Sequence, residues 1–160
     1  MQVVEVPAER TWELRRRVLR DGSPDADVRF GGDDAPGAFH LAVVDESAQS
    51  ADVIAVGSFS PTTAASTIWQ LRGMAVDHAH QGQGLGRAVL SAAASRLRQA
   101  GAMLLWANVR DSAAGFYERA GWTIVGGGFN TEIGLPHHVG VLPLETVDAG
   151  NSRSGRPEAP

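Results

Sequence analysis

The sequence contains no cysteine, which excludes a disulfide framework, a thiolate zinc site and a thiol nucleophile. It also lacks any excess of positive charge. Lys and Arg total 14 against 18 Asp and Glu, a formal net charge of -4, so a partner held chiefly through phosphate neutralisation, such as a nucleic acid, is not expected. No run of about 18 apolar residues occurs, and residues 1–7 carry neither a basic start nor an apolar stretch, so neither a membrane span nor a secretory leader is expected. The expected compartment is the cytoplasm. What is present, 43% hydrophobic residues in a chain of 160, supports one substantial core.

Patterning orders that material. Residues 2–6 alternate as a strand before Pro7. Thr11 is placed to cap a helix over residues 12–19, in which Arg15, Arg16, Arg17 and Arg20 are expected to face mostly solvent and which Gly22 ends. Residues 22–36, rich in Gly, Asp and Pro, read as a loop. Strands over 39–44 and 53–58 are spaced for an antiparallel hairpin, and a third extended run covers 67–76. From 84 to 97 the positions Leu85, Val89, Ala92, Ala93, Arg96 and Leu97 recur at helical spacing, with Gly101 as a stop. The apolar run 103–107 must then be a buried strand if the helix is to rejoin a sheet in parallel. A short helix over 112–119 and two strands, 122–125 and 138–144, complete the order. The fold class is α/β, a single domain over 1–147 with a mixed sheet and flanking helices. Residues 148–160 have nothing to bury and are expected to form a disordered tail.

One segment carries the chemistry. After the strand that ends at Met74, Ala75 and Val76, a polar turn leads through Gln81, Gly82, Gln83, Gly84, Leu85, Gly86 and Arg87 into a helix whose first turns contain no Asp or Glu. Acidic residues are normally favoured at that place by the helix dipole. A turn free of them, with glycines letting its backbone come close, leaves unpaired N–H groups suited to a phosphate or pyrophosphate. Glycines used only for a tight turn and close helix packing would look the same. The spacing matches neither the dinucleotide fingerprint nor a P-loop.

The run Gln81-Gly82-Gln83-Gly84-Leu85-Gly86 resembles the acyl-CoA signature of the GCN5-related N-acetyltransferase superfamily: Gln or Arg, two variable residues, Gly, one variable residue, then Gly or Ala. A second family segment follows from Asn108 and Val109 through Phe116 and Tyr117 to Gly121 and Trp122. The resemblance covers about residues 2–145. It implies an acyl-CoA N-acyltransferase fold, with a sheet splayed between the strand ending at Val76 and the strand at 104–107 and an irregularity near Gly73. It further implies acetyl-CoA as co-substrate, its pyrophosphate on the amides of 81–87 and its pantetheine arm against Met74, Ala75 and Val76.

The resemblance also distributes roles among side chains. Tyr117, the only tyrosine, matches the usual general acid for the departing thiolate; a core aromatic is the other reading. Asn108 resembles a polar residue that reaches the cofactor arm, or else turns the chain. Ser112 is divided between cofactor contact and helix N-cap, with the cap favoured. Many family members carry a Glu before the pyrophosphate turn, where this sequence has Gln70. The base is then sought in Glu132, His137 or His138, and in an extended segment at most one of the two histidines faces the site. Arg72 is read either as an anchor for an acidic group of the substrate or as an internal ion-pair partner, and His78 and His80 as exposed loop residues. No metal site is expected. The implied activity is direct acetyl transfer to the amine of a small molecule, without a covalent enzyme intermediate, and a homodimer is expected. The alternatives are a non-catalytic acyl-CoA-binding or sensor domain, which Gln70 favours, and an acetyltransferase acting on a peptide N-terminus or lysine.

Overall fold

The computed structural model describes residues 1–47, 51–132 and 134–144. The expected tail at 148–160 lies outside them. Seven strands form one mixed sheet: β1 (Val3–Val6), β2 (Phe39–Asp45), β3 (Asp52–Pro61), β4 (Ile68–Val76), β5 (Leu104–Arg110), β6 (Thr123–Asn130) and β7 (Pro136–Pro143), in the spatial order β1-β2-β3-β4-β5-β7-β6. Helices α1 (Glu9–Leu19), α2 (Leu85–Gln99) and α3 (Ala114–Arg119) complete it. The element order is the expected one. All neighbouring strands are antiparallel except β4 and β5, which the crossover through α2 makes parallel.

The sheet buries both faces, each under different cover. Phe39, Leu41, Phe59, Leu71 and Leu105 pack with Val89, Ala93 and Leu97 of α2 in the larger core. On the opposite face Ala42, Val56 and Ala75 pack under Leu14 of α1. Helix α2 supplies Leu90 and Ala94 to the core as well, whereas Arg96, read as one of its periodic positions, is exposed. Its guanidinium lies 4.0 Å from the Phe39 ring centroid and pairs with Glu5. Its stem covers apolar surface while the charge stays in water. Among the described residues no helix is long and apolar enough to cross a membrane.

Helix α1 departs from expectation twice. Thr11 is no cap: the helix starts at Glu9, and the Thr11 Oγ1 donates to the Ala8 carbonyl at 2.7 Å from within the first turn. Arg15, expected to face solvent, is fully buried. Its guanidinium grips both oxygens of Asp33, at 2.7 and 3.0 Å, donates to the Val28 carbonyl at 2.9 Å, and bonds the Ser58 hydroxyl. A basic cluster in sequence does not reveal which member meets a carboxylate brought from 18 residues away. This bidentate pair fastens the 22–36 loop to the face of the sheet that α1 covers. The loop has few apolar anchors of its own, Val28 being the buried one.

Burial works to raise the Asp33 carboxyl, but the Arg15 hydrogen bonds, the Phe30 amide and the Arg15 charge outweigh it and hold its pKa below the ordinary value. Asp33→Ala is expected to cost roughly 3–5 kcal/mol in urea denaturation at neutral pH, because it strands a buried guanidinium. A depressed carboxyl stabilises above its unfolded value and loses that contribution as pH falls through the folded one. The gap between wild type and D33A should therefore be full above about pH 4 and narrow on further acidification.

Candidate active site

The decisive geometry lies between β4 and β5. Their parallel register runs only through Ile68–Leu104, Trp69–Leu105 and Gln70–Trp106. Beyond that point β4 continues along β3, while β5 keeps β7 as its partner from Leu104 to Arg110. Two strand edges thus diverge into a slot whose backbone donors and acceptors face each other without bonding. The irregularity expected near Gly73 is there. The β3–β4 register shifts between Val56 and Ser58, and Gly73 has φ +63. A side chain at Gly73 would also run into Arg15, whose Nε lies 2.6 Å from the position a Cβ would take. The bulge therefore requires glycine both for its backbone and for the buried arginine against it.

At the open end of the slot lies the glycine turn. Val76 leads into a 3-10 turn (His78–His80) that Asp77 caps by accepting from the Ala79 amide, and Gly84 (φ +79) begins α2. Among the described residues no turn, cap or side-chain bond occupies the amides of 81–87, and the first turn of α2 holds no acid. The three glycines do different work. Gly82 and Gly84, both with positive φ and open space around them, shape the turn, whereas a Cβ on Gly86 would come within 3.0 Å of the Phe116 ring and 3.2 Å of Val76. Both sequence readings of the glycines thus apply, at different positions. Gln81, Gln83 and Arg87 are exposed, and the Gln81 side chain donates to the Val76 carbonyl at 3.2 Å. Asp77 bridges Arg17 (2.7 Å) and His80 (2.9 Å), so the acid nearest the turn is engaged from two sides. His80 is partly covered by that contact, whereas His78 is exposed.

Phe116 resting on Gly86 brings α3 against the start of α2, across the slot. Tyr117 follows it, its ring buried edge-on between Phe116 and Trp122, each centroid 5.1 Å away. Its hydroxyl makes no hydrogen bond among the described residues. Burial pushes the phenol pKa further up, and the group is neutral at physiological pH. Ser112 is a correction: it lies in a 3-10 turn (Asp111–Ala113), exposed, and Ala113 is the residue before α3, with no side-chain cap bond.

Strand pairing assigns the remaining side chains to faces. Arg110 opposes His137 and Val109 opposes His138, so the two histidines look to opposite sides of the sheet, as expected of an extended segment. His137 is buried on the α1 side, stacked on Phe129 at 6.0 Å, with Nδ1 2.7 Å from the Leu135 carbonyl. A carbonyl only accepts, so Nδ1 carries the proton and Nε2 keeps its lone pair when the ring is neutral. His138 instead bonds Asp111 at 2.7 Å. Asn108 is exposed on β5, on the same side as Trp106 and Arg110, and Glu132 is exposed in the turn between β6 and β7. Gln70 is buried beside the last paired position of the slot. Met74 and Val76 pack partly on the larger core, and Ala75 lies under Leu14. Sequence reasoning missed the Arg15–Asp33–Ser58–His40 cluster on this face, since its members come from four separate elements. Among the described residues no group of three His, Cys, Asp or Glu side chains is arranged to hold a metal.

Comparison with known proteins agrees with this geometry. Residues 36–124 match the model of the acetyltransferase (GNAT) domain. The uncharacterized N-acetyltransferase YitI of Bacillus subtilis (strain 168) is 29% identical over 143 residues, covering 87% of this chain and 93% of that protein. Among solved structures, an N-acetyltransferase assigned as such from Lactobacillus plantarum superposes with a TM-score of 0.73 at 23% identity, over 90% of this chain and 98% of that one. An aminoglycoside 6'-N-acetyltransferase complexed with coenzyme A does so at 0.72 and 13% identity, over 91% and 98%.

The division of labour among the glycines is testable. Gly84→Val places a branched side chain at positive φ, a strain of about 1–2 kcal/mol or more, and is expected to weaken acetyl-CoA binding about tenfold in calorimetric titration. Gly86→Ala acts through packing and should lower thermal stability. Unchanged affinity in G84V would mean that the shape of the turn does not matter to the ligand.

Proposed function

Since this chain belongs to the GNAT acetyltransferase family, we propose that it transfers an acetyl group from acetyl-CoA directly to the amine of a small molecule, with the slot between β4 and β5 holding the cofactor arm. The observation that carries this reading is the coincidence of two features. The strand edges at 71–76 and 107–110 part, and the opening leads to a helix start whose amides are unoccupied and unopposed by acid. An extended arm with polar amide groups fits between such edges by bonding to both, and linked phosphates fit the turn. The amides of 81–87 would hold the pyrophosphate, and Met74, Ala75 and Val76 would line the arm, with Asn108 on the facing edge.

The chemistry follows from where the side chains lie. An amine with an ordinary pKa is protonated at neutral pH and must lose a proton to attack. In this reading His137, whose Nε2 lone pair is free, accepts it directly or through water, and Glu132, at the surface, attracts the ammonium group. The C–N bond forms as the C–S bond breaks, and the new amide nitrogen sheds its second proton to solvent. Tyr117, neutral and with its hydroxyl unpaired among the described residues, gives its proton to the departing sulfur, and the proton on His137 returns to it through solvent. Gln70, an amide, takes no proton. Binding both reactants in one slot converts the encounter into an oriented step, a large part of the rate gain.

The test is release of free coenzyme A thiol from acetyl-CoA across a panel of amines. Amine-dependent release is expected. Acetyl-CoA binding without release from any amine would instead identify a non-catalytic acyl-CoA-binding domain. With an accepted amine, Tyr117→Phe should lower kcat by about 100-fold or more, with little change in the KM for acetyl-CoA. Equal turnover in Y117F would make the tyrosine a packing residue.

A further inference from the structure

The face of the slot covered by α1 carries more guanidinium than carboxylate, and the imbalance is sharpest where the strands part. Arg72 stands two residues beyond Gln70 on β4 and opposes Ser58, which places it on that face. It is partly buried, and its one hydrogen bond among the described residues is a long 3.4 Å contact to the Ser60 hydroxyl. The loop presses down on it: a Cβ at Gly32 would lie 2.7 Å from its Nη1. The carboxylate in reach is Asp33, whose two oxygens are already taken by Arg15 and whose Oδ2 also receives the Phe30 amide. Arg72 forms no ion pair among the described residues. That carboxylate is paired with Arg15, and a partly desolvated positive charge is left over on Arg72.

Such a charge is costly unless an anion arrives to meet it. Resting on the acetyl-transfer reading above, we infer that the acceptor carries a carboxylate as well as its amine, in the manner of an amino acid, and that Arg72 binds that carboxylate. A planar guanidinium offers the two-pronged geometry a carboxylate matches. The surroundings reinforce the sign. Burial pushes the Arg72 guanidinium pKa down, only partly offset by Asp33, so an incoming anion relieves a real penalty. Arg20 and Arg110 lie toward the mouth of the same face. Both donate to the Leu19 carbonyl, at 3.1 Å each, and neither forms an ion pair among the described residues; Asp21 is the acid whose charge Arg110 feels. A polycationic acceptor would meet repulsion here. An amine–carboxylate zwitterion instead places its negative end on Arg72 and its amine toward His137 and the thioester.

The experiment compares matched acceptors on the full chain: amino acids, their carboxamides and the corresponding decarboxylated amines, each assayed for thiol release with saturating acetyl-CoA. The expected result is a kcat/KM for the acids at least about tenfold above that of both neutralised partners. Arg72→Gln should abolish that preference through KM while leaving acetyl-CoA affinity unchanged, and Arg72→Lys should retain part of it. Calorimetric titration with acetyl-CoA shows that each variant is folded. Transfer to amines with no preference for the acid, or an acid preference that survives in R72Q, overturns this inference and leaves the acetyl-transfer reading standing. Thiol release from no amine at all overturns both.

Discussion

Everything functional in this fold depends on a failure of strand pairing. Backbone N–H and C=O groups inside a sheet are almost always bonded to a neighbour, because leaving them bare and dry is costly. Here β4 and β5 share three register positions and then separate, each continuing with its other neighbour. The sheet survives the separation because β7 follows β5 and β3 follows β4, so neither edge is unsupported. What remains between them is a groove lined by unsatisfied backbone groups, the natural complement of an extended ligand with amide groups of its own.

The separation is maintained from both faces. On the α2 side, Gly86 lets Phe116 approach the helix start and so ties α3 to α2, with Tyr117 buried beside it. On the α1 side, the β4 bulge at Gly73 accepts the buried Arg15, and Arg15 in turn holds Asp33 and the loop that carries it. A buried ion pair of this kind contributes less to net stability than its Coulomb energy suggests, because both charges had to leave water. Its structural value is positional. It fixes an otherwise irregular loop against the bulge.

The legibility of the site was uneven, for identifiable reasons. The glycine turn was readable because its shape resides in the backbone: glycines, the missing acids and the helix start are all local in sequence. The place of Tyr117 came from resemblance alone, and the edge-on packing against Phe116 and Trp122 that holds it depends on a contact between α3 and α2. Ser112 misled, since a hydroxyl before a helix is a good cap in general, but a 3-10 turn intervened and moved the start of α3 to Ala114. Thr11 misled in the same way when α1 gained a turn at its beginning.

The linear order of residues by itself determined the order of elements, the parallel crossover through α2, and the acid-free turn, because periodicity, glycine and charge act over a few residues. Only the tertiary structure decided which arginine is buried, that Asp33 answers Arg15 and not Arg72, and that His137 and His138 face opposite sides. Those outcomes depend on which distant segments the sheet brings into register, and a charge or a lone pair finds its partner only when the chain has closed around it.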